Sequence, residues 1–318
     1  MLILEDLTAE VPDTNAYHFN LKKFSNNSDE AVLMYGYNSS NNSLLETKFK
    51  DYKKIFFNNW APCEYAQEKD HNNKSPLEYD EKFDIIYSIC PYTVEWLNEL
   101  GLNRRYEYIF YPFCDSLIPE RQEKKYDVIY HGGIHGEQHV DCLNIMKMFN
   151  YRYCTMTHHI NAMTQQFLPY ATNVNLLFKD KINLVAQSKI SVCYNIAHAH
   201  KDQIPRIKKQ PDYNKNAAFS HLDNKGIFPQ FKTRMHEAAI SRTLNLVQKD
   251  EWNVAEMYYK PGEEFIYFTD KIDLYNKIRD ITYDWENYSS IVDRAYEKSL
   301  SYTTEKFVEK IKGDLNEL

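Results

Sequence analysis

Glycine is scarce in this chain, with 8 in 318 residues, so backbone turns that need positive φ must be few and any cluster of glycines is informative. Long apolar runs are missing too. No stretch approaches the roughly 18 to 20 apolar residues that span a bilayer. The opening MLILEDLTAEV has no basic residue ahead of its apolar patch and meets Glu5 and Asp6 at once, which excludes the pattern of a secretory signal. A soluble, cytoplasmic protein is the expectation. No Cys-x-x-Cys pair occurs among Cys63, Cys90, Cys114, Cys142, Cys154 and Cys193, and their mostly apolar surroundings point to reduced, buried thiols. The Asp-x-Asp pair that often holds a divalent cation is absent as well. Basic charge is in deficit: the formal charge of -7 argues against a surface that tracks nucleic acid throughout, because such binding rests on phosphate neutralisation by Lys and Arg.

What is present is aromatic and strand-like. Tyr at 26 and Phe at 17 suit large strand-rich cores and sugar-stacking surfaces equally. Apolar runs at 2–4, 31–37, 54–60, 83–90 and 106–113 alternate with polar loops, SNNSDE and NSSNNS among them, and with a helix-like PYTVEWLNELG opened by Pro91 and stopped by Gly101. Short buried strands separated by helices or loops predict a parallel α/β sheet. A charged segment at 115–125 then separates two patterned halves. After it, DVIY runs into a turn holding Gly132, Gly133 and Gly136 and then a helix with Val140, Leu143, Met146 and Met148 as its apolar positions. Strand, glycine turn and helix in that order open a fresh Rossmann-like unit. Further strands are expected at 151–156, 174–178 and 189–195. The tail reads as three amphipathic helices marked by Ile272, Leu274 and Ile278, by Ile291 and Val292, and by Phe307, Val308 and Ile311.

The richest stretch is PQFKTRMHEAAISRTLNLVQKDEWNVAEMYYKPGEEFIYF, 229–268. It predicts a short helix carrying Lys232, Arg234 and Glu237, a buried strand TLNLV, a polar loop, a Pro261-Gly262 turn and a second strand. Arg234 and Glu237 stand three apart and so share a helix face, with Phe231, Met235 and Ala238 on the apolar side. Basic residues at a helix start suit a diphosphate, and a carboxylate one turn on suits a sugar hydroxyl.

Arg234, Glu237, Ala238, the strand, then Glu256, Tyr259, Pro261, Gly262 and Glu264 resemble, in order, the nucleotide-sugar half of GT-B glycosyltransferases, in particular the group 1 and CgeB-like (spore maturation) branch. Two departures stand out. Ile240-Ser241-Arg242 replaces the family's small-residue glycine turn, and Pro229 stands where many group 1 enzymes carry a second Glu. The resemblance implies an α/β GT-B fold: a Rossmann-like acceptor domain at 1–115, a nucleotide-sugar domain at 116–300, the two facing a cleft, and a helix at 301–318 crossing back to the first domain. It implies a metal-independent transferase that uses a nucleoside-diphosphate sugar as donor substrate, without a cofactor, and a glycan or lipid-linked glycan as acceptor. The donor site would comprise Gly132, Gly133, His135, Tyr194, Asn195, Lys232, Arg234, Glu237 and Asn253, with His131 at the reacting centre. A base for the acceptor hydroxyl would come from Asp6 or Glu5, after the first strand, and Trp60, Cys63 and Glu64 suit an acceptor wall or a core. A catalytically silent relative and a transferase acting on modified DNA bases are the alternatives; the basic run at 201–215, five basic and two acidic residues, keeps the latter open. His131, His135 and His139 are spaced by four, but the glycines between them break the helix that would align three imidazoles on a metal. His158-His159 and His198-x-His200 lack a third ligand.

Overall fold

The computed structural model describes residues 1–5, 24–25, 31–35, 39–58, 80–134, 136–157, 164–198 and 227–317. The apolar runs of the first half form β1 (Leu2–Glu5), β2 (Ala31–Tyr35), β3 (Lys53–Asn58), β4 (Ile85–Ser88) and β5 (Arg105–Tyr108), paired in parallel in chain order. Consecutive residues such as Val32, Leu33 and Met34, or Ile55, Phe56 and Phe57, are all fully buried. Both faces of this sheet are therefore covered, which is why its strands read as continuous apolar runs and not as alternation. Pro91 begins the helix Pro91–Glu99, where its missing N–H costs nothing, and Gly101 at φ 65 follows the helix. The NSSNNS segment departs from expectation. Its residues 39–43 belong to a helix, Ser39–Glu46, tied down by Leu45 and by Phe49 just beyond it, both buried.

The second half builds β6 (Tyr126–His131), β7 (Tyr151–Thr155), β8 (Thr172–Val174), β9 (Ser188–Cys193), β12 (Leu244–Gln248) and β13 (Ile266–Phe268). β10 (Ile196–His198) and β11 (Ile227–Pro229) pair antiparallel outside this sheet. The six-stranded sheet is parallel throughout and ordered β13-β12-β9-β6-β7-β8. Chain order thus reverses between β6 and β9, as in the doubly wound nucleotide-binding fold, and ligands of such sheets bind beyond the carboxyl ends at that point. One strand expectation is corrected. VNLLF at 174–178 is the end of β8 and the start of a helix, Phe178–Ala186. Phe178, Ile182 and Val185 are its buried stripe, a helical spacing that the apolar run concealed.

The tail folds as helices Lys271–Tyr283, Ser289–Ser299 and Thr304–Leu315. Asp270 caps the first by accepting from the N–H groups of Ile272 and Asp273, and Thr303 caps the last by accepting from Lys306. Ile272 itself is exposed, so Leu274, Ile278 and Ile281 carry the packing. The last helix lies on the first sheet. Phe307 meets Phe57 with ring centroids 4.8 Å apart, and the Tyr87 hydroxyl donates to Asp314 Oδ2 at 2.7 Å. Phe113 N–H donates to Tyr302 O at 3.0 Å and Thr304 N–H to Phe113 O at 2.8 Å, which steers the chain back across. Phe307, Val308 and Ile311 are fully buried, each contributing about 1.5–3 kcal/mol of gross transfer free energy. They share one core with Ile55 and Tyr87 of the first sheet and with Met235 and Tyr258 of the second half. Among the described residues no helix is long and apolar enough to cross a membrane.

Candidate functional site

The reversal between β6 and β9 sets the site. β6 ends at His131 and passes into Gly132-Gly133; β9 ends at Cys193 and passes into Tyr194-Asn195; β12, beside β9, leads into a loop at 249–253. The helix Arg234–Ile240 packs behind these ends, with Met235 to Ile240 all buried.

Arg234 turns towards the glycine turn. Its Nη1 donates to the Tyr130 hydroxyl at 2.9 Å, and that hydroxyl donates to the Gly133 carbonyl at 2.9 Å. Gly132 has φ +151, and a Cβ placed on it would lie 2.3 Å from Arg234 Nη2 and 2.7 Å from Cζ. Any side chain at 132 would displace the guanidinium, so the glycine is there to admit Arg234. The result is a guanidinium held against the backbone turn at the carboxyl end of the sheet. Its planar fork suits a phosphate better than a point charge would.

Glu237 meets the same strand end at His131. It is 5 % exposed, with Oε1 3.0 Å from Lys181 Nζ and Oε2 2.9 Å from His131 Nδ1. His131 Nε2 in turn lies 2.9 Å from Ser191 Oγ. Burial pushes the His131 imidazole below its ordinary range, against the pull of Glu237. Arg234 and Glu237, three apart on the helix, thus both meet the end of β6, Arg234 at the glycine turn and Glu237 in a buried cluster with His131 and Lys181. His131, expected at the reacting centre, sits in this buried cluster at the carboxyl end of β6. Its Nδ1 faces Glu237 and its Nε2 faces Ser191, and the residue is 3 % exposed.

Two further residues expected at the donor site make these contacts. Asn195 is buried; its Oδ1 accepts from Lys232 N–H at 3.0 Å and its backbone carbonyl from Gln230 N–H at 2.8 Å. It thus fixes the segment that presents Lys232 without offering a surface of its own. Tyr194 is packed among His139, Tyr130 and Phe268, at 4.7, 6.5 and 5.6 Å between centroids, and is core. Lys232 Nζ reaches Gln230 Oε1. Asn253 sits in the left-handed region at φ 51, where its N–H donates to Asp250 O at 3.3 Å. Asp250 Oδ1 accepts from Trp252 and Val254 N–H at 3.0 and 3.2 Å, and burial pushes its carboxyl up to about 6. This loop reaches the first half of the chain: Trp252 packs on Tyr92, centroids 4.2 Å apart, at the start of the helix that follows β4.

Glu5 closes β1 at a carboxyl end of the first sheet, and its side chain is outside the described residues. Asp6, His135, Trp60, Cys63, Glu64, His158, His159, His200 and the run at 201–215 also lie outside them. Among the described residues no group of three or more His, Cys, Asp or Glu side chains is placed to hold a metal ion. Reading the residues missed Tyr130, Lys181, Ser191 and Asp250. Tyr130 reads as strand core, and Lys181 as a solvated helix position. Only the Asp-x-x-Asn spacing of 250 and 253, a turn-like pair after a buried strand, carried a local signal.

No protein-family model matches the chain, and no curated protein matches it. Solved structures do. The chain is similar to the S. aureus TarM structure in complex with fondaparinux, alpha-GlcNAc-glycerol and UDP, with TM-score 0.57 and 12 % identity over 92 % of this chain and 57 % of that one. It is similar to Anabaena Alr3699/HepE in complex with UDP and glucose, with TM-score 0.59 and 11 % identity over 90 % and 78 %. It is also similar to the pneumococcal O-GlcNAc transferase GtfA in complex with UDP and GlcNAc, with TM-score 0.56 and 13 % identity over 94 % and 58 %. The chain thus spans little more than half the length of TarM and GtfA. At such identities the likeness is one of fold, and it agrees with two parallel sheets joined by a returning last helix: the chain has the GT-B fold.

Proposed function

We propose that this chain transfers a sugar from a uridine or other nucleoside-diphosphate donor to a hydroxyl of a glycan-type acceptor. The observation that carries the reading is the Arg234 guanidinium packed against Gly132 at the topological switch point of the second sheet. Departure of a nucleoside diphosphate leaves negative charge on the phosphate oxygens, and a preorganised guanidinium stabilises that charge more than it stabilises the intact donor. Arg234 and Lys232 fill this role, with the backbone of Gly132-Gly133 beside them. Glu237, held by Lys181 and His131, is a positioning residue that supports the turn from below. The CgeB-like motif order around 234–264, the UDP and sugars held by the similar structures and the absence of an Asp-x-Asp pair support a metal-independent transfer of this kind. The first 115 residues would carry the acceptor and its base, Glu5 or Asp6, and 116–300 the donor. Five described cysteines, all buried and unpaired, support a reducing, cytoplasmic setting.

The test is nucleotide binding by calorimetry with UDP, GDP and ADP, followed by release of nucleotide from the matching sugar donors. At least one diphosphate is expected to bind, and Arg234→Ala to weaken it by about tenfold to a hundredfold, the loss of a charge-assisted contact worth about 1.5–3 kcal/mol. Failure of all three to bind would overturn the donor assignment. Tight binding without any turnover would instead select the silent relative, the reading favoured by Pro229 at the family's Glu position.

A further inference from the structure

At the opposite end of the second sheet lies a cavity of about 200 Å³. It sits where the chain enters β6, β9 and β12, whereas the donor site lies where the chain leaves them. Lys124, two residues before β6, and Ser241-Arg242, separated from β12 by Thr243, line it together with Arg121, Trp285 and Asp293. Its charges are notable for not being paired. Among the described residues the guanidinium groups of Arg121 and Arg242 enter no ion pair, although Asp293 and Glu286 line the same cavity. Lys124 Nζ donates to Ala186 O at 2.8 Å and Thr243 Oγ1 at 3.1 Å, which leaves its third N–H. Ser241 is 4 % exposed, and its Oγ has no hydrogen-bond partner, a cost that a buried hydroxyl does not bear without a reason.

Arg242 adds a backbone observation. It holds φ +50, the left-handed conformation that glycine adopts without strain and other residues adopt at a cost. This is the position of the glycine turn in the family the motif resembles, so the turn is kept while a guanidinium is placed on it. That guanidinium lies over the Tyr296 ring, 3.6 Å from its centroid. Burial, with Arg121 and Arg242 adding, pushes the Lys124 ammonium down to about 7.

We infer that this cavity binds a phosphate ester of a small hydroxylated compound, separate from the donor cleft, with the phosphate on Lys124, Arg242 and Arg121 and the hydroxyl-bearing body beside Trp285, Glu286 and Asp293. Arg121 and Arg242 supply fork contacts to a dianion, and Lys124 a point-charge contact that a bound dianion strengthens by favouring its ammonium form. The free Ser241 hydroxyl gains its missing partner from a phosphate oxygen. The carboxylates accept from hydroxyls, and the indole offers an apolar wall to a carbon skeleton.

The experiment titrates inorganic phosphate and ribose 5-phosphate into the full chain by calorimetry, with ionic strength held constant by NaCl, against wild type, Arg242→Gly, Arg121→Ala and Arg234→Ala. Glycine suits φ +50 and Arg121 is exposed, so neither of the first two variants threatens the fold. Saturable binding of ribose 5-phosphate is expected, tighter than that of phosphate. It should be weakened tenfold or more by Arg242→Gly, weakened less by Arg121→Ala, and unchanged in Arg234→Ala. The inference is overturned if neither probe gives heat beyond the NaCl control, if Arg242→Gly binds like wild type, or if only Arg234→Ala abolishes binding, since the probe would then be in the donor cleft.

Discussion

Glu237→Gln separates two roles that a buried carboxylate beside a ligand cleft can have. In the structure its oxygens face Lys181 Nζ at 3.0 Å and His131 Nδ1 at 2.9 Å, with the Glu side chain 6 % and the Lys side chain 18 % exposed. Breaking a buried ion pair by neutralising one partner costs about 3–5 kcal/mol, because the other charge is left uncompensated. Here the cost is smaller. Lys181 keeps some solvent, and the Gln side-chain oxygen still accepts a hydrogen bond from it, which brings the expected loss to about 2 kcal/mol. For a folding unit of about this size that lowers the unfolding midpoint by roughly 4–8 °C. The assay is thermal unfolding of the ligand-free protein, wild type against variant, paired with UDP titration of both. A lower midpoint with UDP affinity reduced only a few-fold is the expected pair of results, since Gly132 and Arg234 are still in place. An unchanged ligand-free midpoint with UDP binding abolished would refute the reasoning, because Glu237 would then be a ligand contact held at no structural benefit.

His236 is buried with Nδ1 2.6 Å from the Tyr259 hydroxyl, and burial drives its imidazole down to about 3 from 6.5. The unfolded chain therefore binds the extra proton between those values, so stability rises with pH across that window and falls on acidification, by up to ~1.4 kcal/mol per pH unit. His236→Phe should flatten that slope in urea midpoints measured from pH 4 to 7; an unaltered slope would count against the buried neutral imidazole. Phe307→Ala removes a fully buried ring from the returning helix and should cost about 3–5 kcal/mol. In calorimetry the two halves should then unfold at separate temperatures, whereas a single unshifted transition would mean that the helix does not join them.

How far the sequence could be read depended on whether a feature was local. The strand into Gly132-Gly133, the helix after it and the returning amphipathic helix announce themselves within ten or so residues, through apolar period, glycine and cap. The NSSNNS helix escaped because its anchors, Leu45 and Phe49, follow the polar run and do not lie within it. At the site, residue types were legible and directions were not. A spacing of three puts Arg234 and Glu237 on one face of any helix, but it cannot tell that this helix is sunk behind a sheet, with Met235 to Ile240 all buried. Once there is no solvent face, each polar group must find its own partner. Arg234 finds Tyr130, 104 residues away, and Glu237 finds Lys181, 56 residues away. Those partners are set by topology, through the adjacency of β6 and β9 and the helix laid across them. The same topology accounts for both unusual backbone positions at the two ends of the helix. Gly132 exists because a guanidinium occupies the space its side chain would need, and Arg242 holds a glycine-like conformation because its chain must turn at once into β12. Scarce glycine is thus spent where a side chain would collide. Where the turn opens on a cavity, the chain accepts the strain and places a charge there.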